Sequence, residues 1–428
     1  MSEGSDEVEA RAAEVRVIRD PLYGDIRISD DIKSLIDTST FQRLHRIKQL
    51  STCDLVFHGA THSRFSHSLG AFHLASLIVE RLEKLHPGLI SELDSKLVRY
   101  AALLHDIGHP PYSHMLEDRT IFMTFHGHEL WGWKIIDEPN NDLRKALIQN
   151  IGESGISRLK DIYAGRVHPI ALHEIVSSQL DVDRLDYLLR DQYHSGADVG
   201  TYDVQRIFRS LRLDENGSLR LHPNGVPAVE SYLLTRLHMY KLVYFHKLNI
   251  LTSEYHRKAL RRARELASSG RLEISDAIRG MLLSSDLDVS GYLSIDDSVV
   301  SSAISSWRES KDKELRFWVD RILSRDSFHK RIRIPGLTPE HVERCMIAIS
   351  AEISSAGYDP VRDLILARVD NVGYRPYQSG IRLVDGKDIA DISSVAAAIT
   401  ETVHDTMVFV PSSVRNACEE VVKSTLNL

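Results

Sequence analysis

The chain has 428 residues, of which 43% are hydrophobic and 26% charged, a balance typical of a globular protein with a substantial core. The formal net charge of −7 gives no overall attraction for nucleic acid, so charge does not indicate a nucleic-acid partner. Only three cysteines are present, and no apolar run reaches about 18 residues, so we expect a cytoplasmic protein rather than a secreted or membrane-spanning one.

The N-terminal part of the chain predicts a tail, a hairpin and several helices. We expect residues 1–14 to form a disordered tail. Residues 15–28 alternate around a Pro/Gly turn, which predicts a short hairpin. Helices are predicted from about Asp30 and from about Thr40. A polar loop over residues 58–67 then leads into a helix that ends near His86, before Pro87 and Gly88.

The most informative stretch covers residues 97–114. It begins as an apolar helix, capped near Ser91 or Asp94, and ends abruptly at a glycine and two prolines. His105 and Asp106 stand side by side at this helix end. Burying an unpaired carboxylate costs several kcal/mol, and a divalent metal ion removes that cost by binding imidazole and carboxylate together. The stretch therefore predicts metal ligands at the end of a helix.

The rest of the chain predicts further helices and a change of character near the end. One long helix is expected over residues 169–191 after a looser connection over 150–166, and another over 228–267. Asn216-Gly217 predicts a tight hairpin between them. Beyond residue 268 the pattern indicates amphipathic helices and then a small α/β appendage. The fold class we expect is therefore mainly α, with short β-hairpins.

Eleven of the 21 histidines lie between His45 and His128, which points to chemistry in the N-terminal part of the chain. Nitrogen and oxygen ligands without thiolate suit iron, manganese, zinc, nickel or magnesium. Taken singly, His67 is as well explained by a hydrogen bond in the core, and Asp183 by a pair with Arg184. Together they predict one metal-binding set: His67, His105, Asp106 and Asp183.

Two further groups have candidate roles. Histidine transfers protons near neutral pH, which suits the leaving group of a phosphate ester, and three histidines could do so: His109, His114 and His128. The alternative is that His109 only stabilises a turn. Charge-assisted hydrogen bonds could hold phosphates at Arg64, Arg184, Tyr187, Arg236 and Lys247. Each of these cations alone is as well explained as a solvated surface residue.

Seven ordered motifs carry a resemblance to a known family. They are Asp20-Pro-Leu-Tyr-Gly24, Phe41-Gln-Arg-Leu44, Gln49-Leu50, His62-Ser-Arg-Phe-Ser-His-Ser-Leu-Gly70, His105-Asp-Ile-Gly-His-Pro-Pro-Tyr-Ser-His114, Asp181-Val-Asp-Arg-Leu-Asp-Tyr187 and Tyr244-Phe-His-Lys247. The set resembles the HD-domain deoxynucleoside triphosphate (dNTP) triphosphohydrolases, over residues 15–412. One departure is Ser66, which stands where glutamate is usual in that family.

The resemblance implies a helical HD core and specific roles for the residues. Metal binding would fall on His67, His105, Asp106 and Asp183, at one tight divalent site (Mn, Fe, Mg, Zn or Ni) with room for a second ion. Catalysis would involve His109, His114, His128 and Glu117. Triphosphate contacts would fall on Arg64, Arg184, Tyr187 and Arg236, and sugar contacts on Gln49, Asp191 and Tyr244. The resemblance also implies a homo-oligomer, tetramer or hexamer, with an activating nucleotide at a subunit interface.

These patterns predict an HD phosphohydrolase domain over residues 15–268 and an oligomerisation or regulatory region over 269–428. The leading functional hypothesis is metal-dependent hydrolysis of dNTPs to deoxynucleoside and inorganic triphosphate. One alternative is an HD phosphohydrolase acting on a nucleotide monophosphate or on a cyclic or signalling nucleotide. A different class altogether is a catalytically silent nucleotide sensor or nucleic-acid-binding oligomer.

Overall fold

The fold is mainly α-helical, as expected from the sequence. The computed structural model describes residues 16–324, 328–332, 339–372, 374–376, 380–400 and 402–426. The predicted tail, residues 1–14, lies outside these residues. Within the described residues, the strands form two two-stranded hairpins and one three-stranded sheet, all antiparallel.

The helices of the N-terminal part surround one large apolar core. Their bounds are α1 Asp30–Ile36, α2 Ser39–Gln42, α3 Arg64–Leu85, α4 Glu92–Leu104, α5 His128–Asp137, α6 Asp142–Tyr163, α7 Ala171–Glu174, α8 Val182–Ser195, α9 Val204–Ser210, α10 Val226–Met239 and α11 Lys247–Ser268. The same core continues into the helices that follow: α12 Asp276–Leu283, α13 Val289–Leu293, α14 Asp297–Ser306 and α15 Lys313–Ser324. The division predicted at residue 268 stays a prediction.

The two predicted hairpins are present. Strands β1 (Arg16–Asp20) and β2 (Gly24–Ile28) pair around the Pro/Gly turn. Strands β3 (Leu211–Leu213) and β4 (Leu219–Leu221) pair around Asn216-Gly217. Gly217 has φ +72°, a backbone conformation that glycine adopts without steric cost.

The C-terminal appendage is a small α/β unit, also as expected. Strands β5 (His329–Ile332), β6 (Ile365–Val372) and β7 (Thr402–Pro411) form an antiparallel sheet in the order β5-β7-β6. Helices α16 (Pro339–Ser355), α17 (Pro360–Asp363), α18 (Ser394–Ala398) and α19 (Arg415–Leu426) accompany the sheet. A second apolar cluster joins α16 and α19 to it through Cys345, Ile349, Val410 and Cys418.

Three helices, α3, α4 and α8, form the framework of the N-terminal part. Helix α4 begins where the Ser91 side chain accepts a hydrogen bond from the backbone N–H of Asp94. It buries Leu97, Ala101 and Leu104 and ends at His105, so the ionisable pair emerges at the helix terminus as the sequence predicted. Because His105 and Asp106 stand where the regular helix ends, their side chains can both turn toward one site.

Four predicted segments differ from the structure. The polar loop expected over residues 58–67 ends at Ser63, because Arg64 and His67 are buried in the first turn of α3. Residues 150–166 were expected to be a loose connection, yet most of them belong to α6, whose helix bends at Gly152. The helix expected over 169–191 is two helices, because the Asp181 side chain caps the start of α8 by accepting from the backbone N–H of Arg184. The helix expected over 228–267 is broken by a π-helical turn and by His246, whose backbone is extended and whose side chain caps α11.

No helix in the described part of the chain is long and apolar enough to cross a bilayer.

A buried histidine lies at the contact between the two apolar cores. His329 on β5 is 1% exposed, and its Nδ1 lies 2.9 Å from the hydroxyl of Tyr255 on α11. Burial, with the nearby charges of Arg321 and Lys258, lowers the pKa of His329 to about 3 although Asp363 opposes this.

The lowered pKa of His329 leads to a prediction about how stability depends on pH. Between pH 6.5 and about 3 the unfolded chain binds a proton at residue 329 that the folded chain does not, so stability falls as the pH falls. We expect His329→Gln to reduce the slope of the unfolding free energy against pH by up to about 1.4 kcal/mol per unit in this window. Denaturant titrations at several pH values measure the slope. Exposed His58→Gln is the control, and parallel curves for wild type and His329→Gln would contradict the prediction.

Candidate metal centre and active site

The four predicted ligands converge from three helices. His67 lies in the first turn of α3, His105 and Asp106 at the end of α4, and Asp183 in the first turn of α8. The Nε2 atom of His67 lies 3.0 Å from Asp183 Oδ1, 3.1 Å from His105 Nε2 and 3.6 Å from Asp106 Oδ2. Donor atoms about 3 Å apart are what an octahedral ion with bonds of about 2.1 Å requires.

The hydrogen bonds of the two imidazoles show why a cation fits here. The Nδ1 atom of His105 lies 2.8 Å from the carbonyl oxygen of Ala102, which can only accept, so Nδ1 carries the hydrogen. The Nδ1 atom of His67 lies 2.8 Å from Asp186 Oδ2, which accepts in the same way. In the neutral rings both Nε2 atoms then point bare lone pairs at each other beside two carboxylates. A divalent metal ion satisfies all four groups at once.

The local electrostatics favour positive charge at this point. Burial lowers the pKa of His67, but the carboxylates of Asp183 and Asp186 outweigh burial and raise it to about 10. Burial raises the pKa of Asp106, but the charge of Arg64, together with the neighbouring His105 and the hydrogen bond from His109, outweighs burial and lowers the pKa well below its usual range. The residues can therefore hold a divalent metal, although the geometry does not select which one.

A series of hydrogen-bonded residues supports His67, and it was not identified from the sequence. Asp186 accepts hydrogen bonds from Arg190 at both oxygens, each at 2.9 Å, and Arg190 Nη1 donates to Asp20 at 2.9 Å. All three residues are buried. The signal was present, because Asp183, Asp186 and Arg190 follow one another at i, i+3 and i+7 on α8, but only the fold shows that Asp186 faces His67.

The close approach of α3 and α8 depends on a glycine. A Cβ atom added at Gly70 would lie 1.8 Å from Asp186 Oδ1 and 2.4 Å from Arg190 Nη2. No side chain fits at these distances, so any larger residue there would displace the carboxylate that orients His67.

The three candidate catalytic histidines form a cluster around Glu117. Glu117 accepts from the Nδ1 atoms of His114 at 2.8 Å and of His128 at 2.9 Å, and from the backbone N–H of His128 at 2.7 Å. Burial raises the pKa of Glu117, but the hydrogen bonds from the two histidines outweigh it and lower the pKa. The carboxylate thus fixes both Nδ1 hydrogens and leaves each Nε2 free for a ligand.

His109 connects this cluster to the metal ligands. Its Nε2 lies 3.2 Å from Asp106 Oδ1, and its ring stacks on His128 with centroids 4.0 Å apart. Burial and the charge of Arg64 lower its pKa well below the usual value, while Asp106 opposes them. His109 is therefore neutral and donates to Asp106 within the same turn, so both its catalytic role and the turn-stabilising alternative stay predictions.

The loop between these histidines has an unusual backbone. Tyr112 and Ser113 both adopt positive φ, at 55° and 53°, which non-glycine residues rarely do. The backbone N–H of Tyr112 donates to Asp297 at 2.6 Å, and the Ser113 hydroxyl donates to the carbonyl of Lys48 at 2.7 Å. These contacts hold the turn that directs His114 toward Glu117.

The candidate phosphate-binding cations occupy different positions. Arg64 is buried and donates to Asp106 at 2.5 Å and to Ser113 at 2.8 Å. Together with Arg184 and Tyr187 it lines a cavity of about 1090 Å³. Arg236 lies deeper: it donates to Gln179 at 3.0 Å, and its Nε is buried without a hydrogen-bond partner. Lys247 is exposed at the start of α11 and does not line the cavity.

The candidate sugar-binding residues lie on one side of the same cavity. The Tyr244 hydroxyl donates to Asp191 Oδ2 at 2.7 Å, and Gln49 lies nearby in the lining with a buried Oε1 that has no partner. The cavity has a volume of about 1090 Å³ and also reaches His105, Asp106, Asp183, His109, His114 and His128. A second cavity, of about 350 Å³, lies elsewhere and is lined by Arg206, Arg209, Ser210, Arg212, His222 and Asn224.

Comparison with known proteins identifies the family. Residues 64–191 match the model of the HD domain, and residues 202–276 match that of the HD-associated region. The Bacillus subtilis (strain 168) protein YwfO is 31% identical over 376 residues, covering 86% of this chain and 83% of YwfO. The chain belongs to the HD-domain phosphohydrolase family.

Within this family, other relatives carry a stated activity. The deoxynucleoside triphosphate triphosphohydrolase SAMHD1 of Gallus gallus is 31% identical over 346 residues, covering 72% of this chain and 55% of the relative. SAMHD1 of Homo sapiens is 34% identical over 265 residues, covering 55% and 42%. This HD-domain chain thus spans about half the length of the SAMHD1 relatives it matches.

Solved structures extend the likeness over nearly the whole chain. A phosphohydrolase from Bacteroides thetaiotaomicron has a TM-score of 0.79 at 27% identity, covering 93% of this chain and all of the other. A hypothetical protein from Aquifex aeolicus has a TM-score of 0.74 at 28% identity, covering 96% of this chain and all of the other. The helical HD core and the C-terminal appendage thus occur together in related structures.

The hydrogen bond between Asp186 and His67 leads to a prediction about metal affinity. We expect Asp186→Asn to weaken binding of a divalent metal by about 10–100-fold, because the amide oxygen is a neutral, weaker acceptor for the Nδ1 hydrogen of His67 and the amide NH2 cannot accept from Arg190. Titration of the metal-free protein with Mn²⁺ measures the affinity. Asp25→Asn, an exposed carboxylate of the first hairpin, is the control. Unchanged affinity in folded Asp186→Asn would contradict the role of this carboxylate.

Proposed function

We propose that this HD-domain phosphohydrolase hydrolyses dNTPs to a deoxynucleoside and inorganic triphosphate. The observation that carries the proposal is the composition of one continuous cavity of about 1090 Å³. Its lining contains three residues of the metal-binding set, the three clustered histidines, two of the candidate phosphate-binding arginines and the candidate sugar contacts. The triphosphate and the sugar of a dNTP therefore have complementary groups in the same space.

The cations that line the cavity support a polyanionic substrate. Arg64 and Arg184 line the cavity together with Lys160, Arg166 and Arg257, whereas Arg236 does not line it. Charge-assisted hydrogen bonds from cations to phosphate are among the strong ones. A monophosphate needs fewer such groups, so the number of cations favours a triphosphate.

The sugar contacts support a deoxyribose. Asp191 and the unpartnered Oε1 of Gln49 are hydrogen-bond acceptors, and Tyr187 and Tyr244 pack in a T-shaped arrangement with ring centroids 6.4 Å apart. Acceptors suit the 3′-hydroxyl. By the family resemblance the two rings would crowd the 2′ carbon, where an added hydroxyl is rejected sterically, so we expect dNTPs to be favoured over NTPs.

The reaction that fits these residues breaks the bond between the α-phosphorus and the 5′-oxygen. A divalent ion, when bound by His67, His105, Asp106 and Asp183, would supply Lewis-acid stabilisation of the phosphate charge. The arginines hold the triphosphate, so that water attacks the α-phosphorus. The oxygen of that water stays on the triphosphate, and its proton is released to solvent. A histidine of the Glu117 cluster that carries a second proton, on Nε2, gives it to the departing 5′-oxygen and is then reprotonated from solvent.

The alternatives are weaker. Another HD phosphohydrolase, acting on a monophosphate or on a cyclic nucleotide, would need fewer of the cations that line the cavity. A signalling nucleotide with several phosphates is distinguished by the substrate panel. A silent sensor would not need the two fixed histidines of the Glu117 cluster. The identity of the metal, the homo-oligomer and the activating nucleotide stay predictions from the resemblance.

A substrate panel with isotope labelling tests the proposal. Purified protein is incubated with Mn²⁺ or Mg²⁺ and with dNTPs, NTPs, nucleoside monophosphates and cyclic nucleotides in ¹⁸O-water. We expect much faster turnover of dNTPs than of NTPs, with one ¹⁸O atom in the triphosphate and none in the nucleoside. Asp183→Ala, which removes a ligand, is the inactive control. Label in the nucleoside, or release of pyrophosphate or monophosphate, would contradict the mechanism.

The proton donor is tested by comparing two variants. Either His114 or His128 can protonate the leaving oxygen, since Glu117 orients both. We expect the acid to be the histidine whose replacement by glutamine lowers kcat by a factor of about 10² or more while metal content is unchanged. Metal content and kcat are measured on the same preparations. If activity and metal are lost in parallel, that histidine is a ligand of a second ion and not the acid.

A further inference from the structure

His62 belongs neither to the metal-binding set nor to the catalytic cluster. It makes two hydrogen bonds to candidate sugar-binding residues. Its Nε2 lies 2.7 Å from Asp191 Oδ1, and both side chains are almost fully buried. Its carbonyl oxygen accepts from the backbone N–H of Gln49 at 3.0 Å. One residue thus supports both Gln49 and Asp191, the two acceptors that face the candidate sugar position.

The hydrogen bonds define the state of the His62 ring. Its Nδ1 is buried without a hydrogen-bond partner, so a hydrogen there would be an unsatisfied buried donor. The neutral ring with hydrogen on Nε2 is therefore favoured, and Nε2 donates to Asp191. His194 stacks on the ring with centroids 4.5 Å apart and planes 16° apart, which limits its rotation.

Asp191 is consequently held by two donors, His62 at one oxygen and Tyr244 at the other. A carboxylate has about four acceptor positions, so lone pairs remain for a third donor from the cavity that Asp191 lines. Neither neighbour presents a hydrogen to that space, because both already donate to Asp191. The side chain is thereby prepared to accept from a hydroxyl group.

We propose that His62 is a positioning residue that orients Asp191 to accept a hydrogen bond from the 3′-hydroxyl of the substrate. This inference rests on the proposed function and makes it more specific, since it names the group that gives selectivity for a free 3′-hydroxyl. His62 itself does not touch the substrate. Its effect should therefore appear only with substrates that carry the hydroxyl.

The experiment compares a dNTP with the 2′,3′-dideoxynucleotide of the same base. We expect His62→Met to lower kcat/KM for the dNTP by about tenfold or more and to change kcat/KM for the dideoxynucleotide by less than about twofold. His62→Gln, whose amide nitrogen can replace Nε2 as donor, should recover most of the selectivity. Asp191→Ala is the reference for loss of the contact, and His58→Met, at an exposed histidine outside this network, is the matched control.

Two results would overturn the inference. Equal losses on both substrates, with metal content retained, would show that His62 supports the fold in general, and selectivity unchanged in His62→Met would show that it has no role in recognition. If His62→Met does not fold, His62→Asn makes the same test, because its side chain is too short to reach Asp191.

A failure of the proposed function gives a different result, since wild type would then turn over no dNTP. Calorimetric binding of the deoxynucleoside and the dideoxynucleoside to wild type and His62→Gln, compared with His62→Met, decides the inference in that case. A preference for the 3′-hydroxyl in wild type that is lost in His62→Met supports it, and equal binding of both nucleosides to wild type overturns it.

Discussion

The interaction on which the site depends is the convergence of two bare imidazole nitrogens on two carboxylates. His67 Nε2 and His105 Nε2 lie 3.1 Å apart because each ring gives its Nδ1 hydrogen to an acceptor behind it. Without positive charge between them, the lone pairs of the rings and of Asp183 repel one another. The framework of α3, α4 and α8 therefore brings together groups that only a cation stabilises, and the apolar faces of these helices supply the free energy that holds them in place.

Hydrogen bonds between a histidine and a carboxylate recur through the candidate active site. Asp186 fixes the hydrogen of His67, Glu117 fixes the hydrogens of His114 and His128, and His62 gives its hydrogen to Asp191. In each case a hydrogen bond determines which nitrogen carries the hydrogen and leaves another polar atom available for a ligand. Chemistry on a phosphate ester is mainly positioning and charge stabilisation, so fixing donors and acceptors before the substrate arrives is what the scaffold contributes.

Interruptions of the helices are as important as the helices. Asp181 begins α8 two residues before Asp183, which places that ligand in the first turn, where its side chain can reach His67. The π-helical turn that ends at Tyr244 and the extended backbone of His246 shift the tyrosine toward Asp191. A π-helical turn changes the direction of the residues that follow, and such turns are frequent at functional sites.

The fold class, and the convergence of much of the candidate metal-binding set, could be predicted from the sequence. An apolar helix that stops at His105 and Asp106, the local turn signals at Gly24 and Gly217, and the ordered motifs are all short-range patterns, and short-range patterns survive without knowledge of the fold. What the tertiary structure decided were the contacts between residues far apart in the chain. Asp186 faces His67 across 119 positions, and His62 faces Asp191 across 129. The breaks near Asp181 and His246 also needed the fold, because helical periodicity continues through both and only side-chain caps and cavity contacts interrupt the backbone.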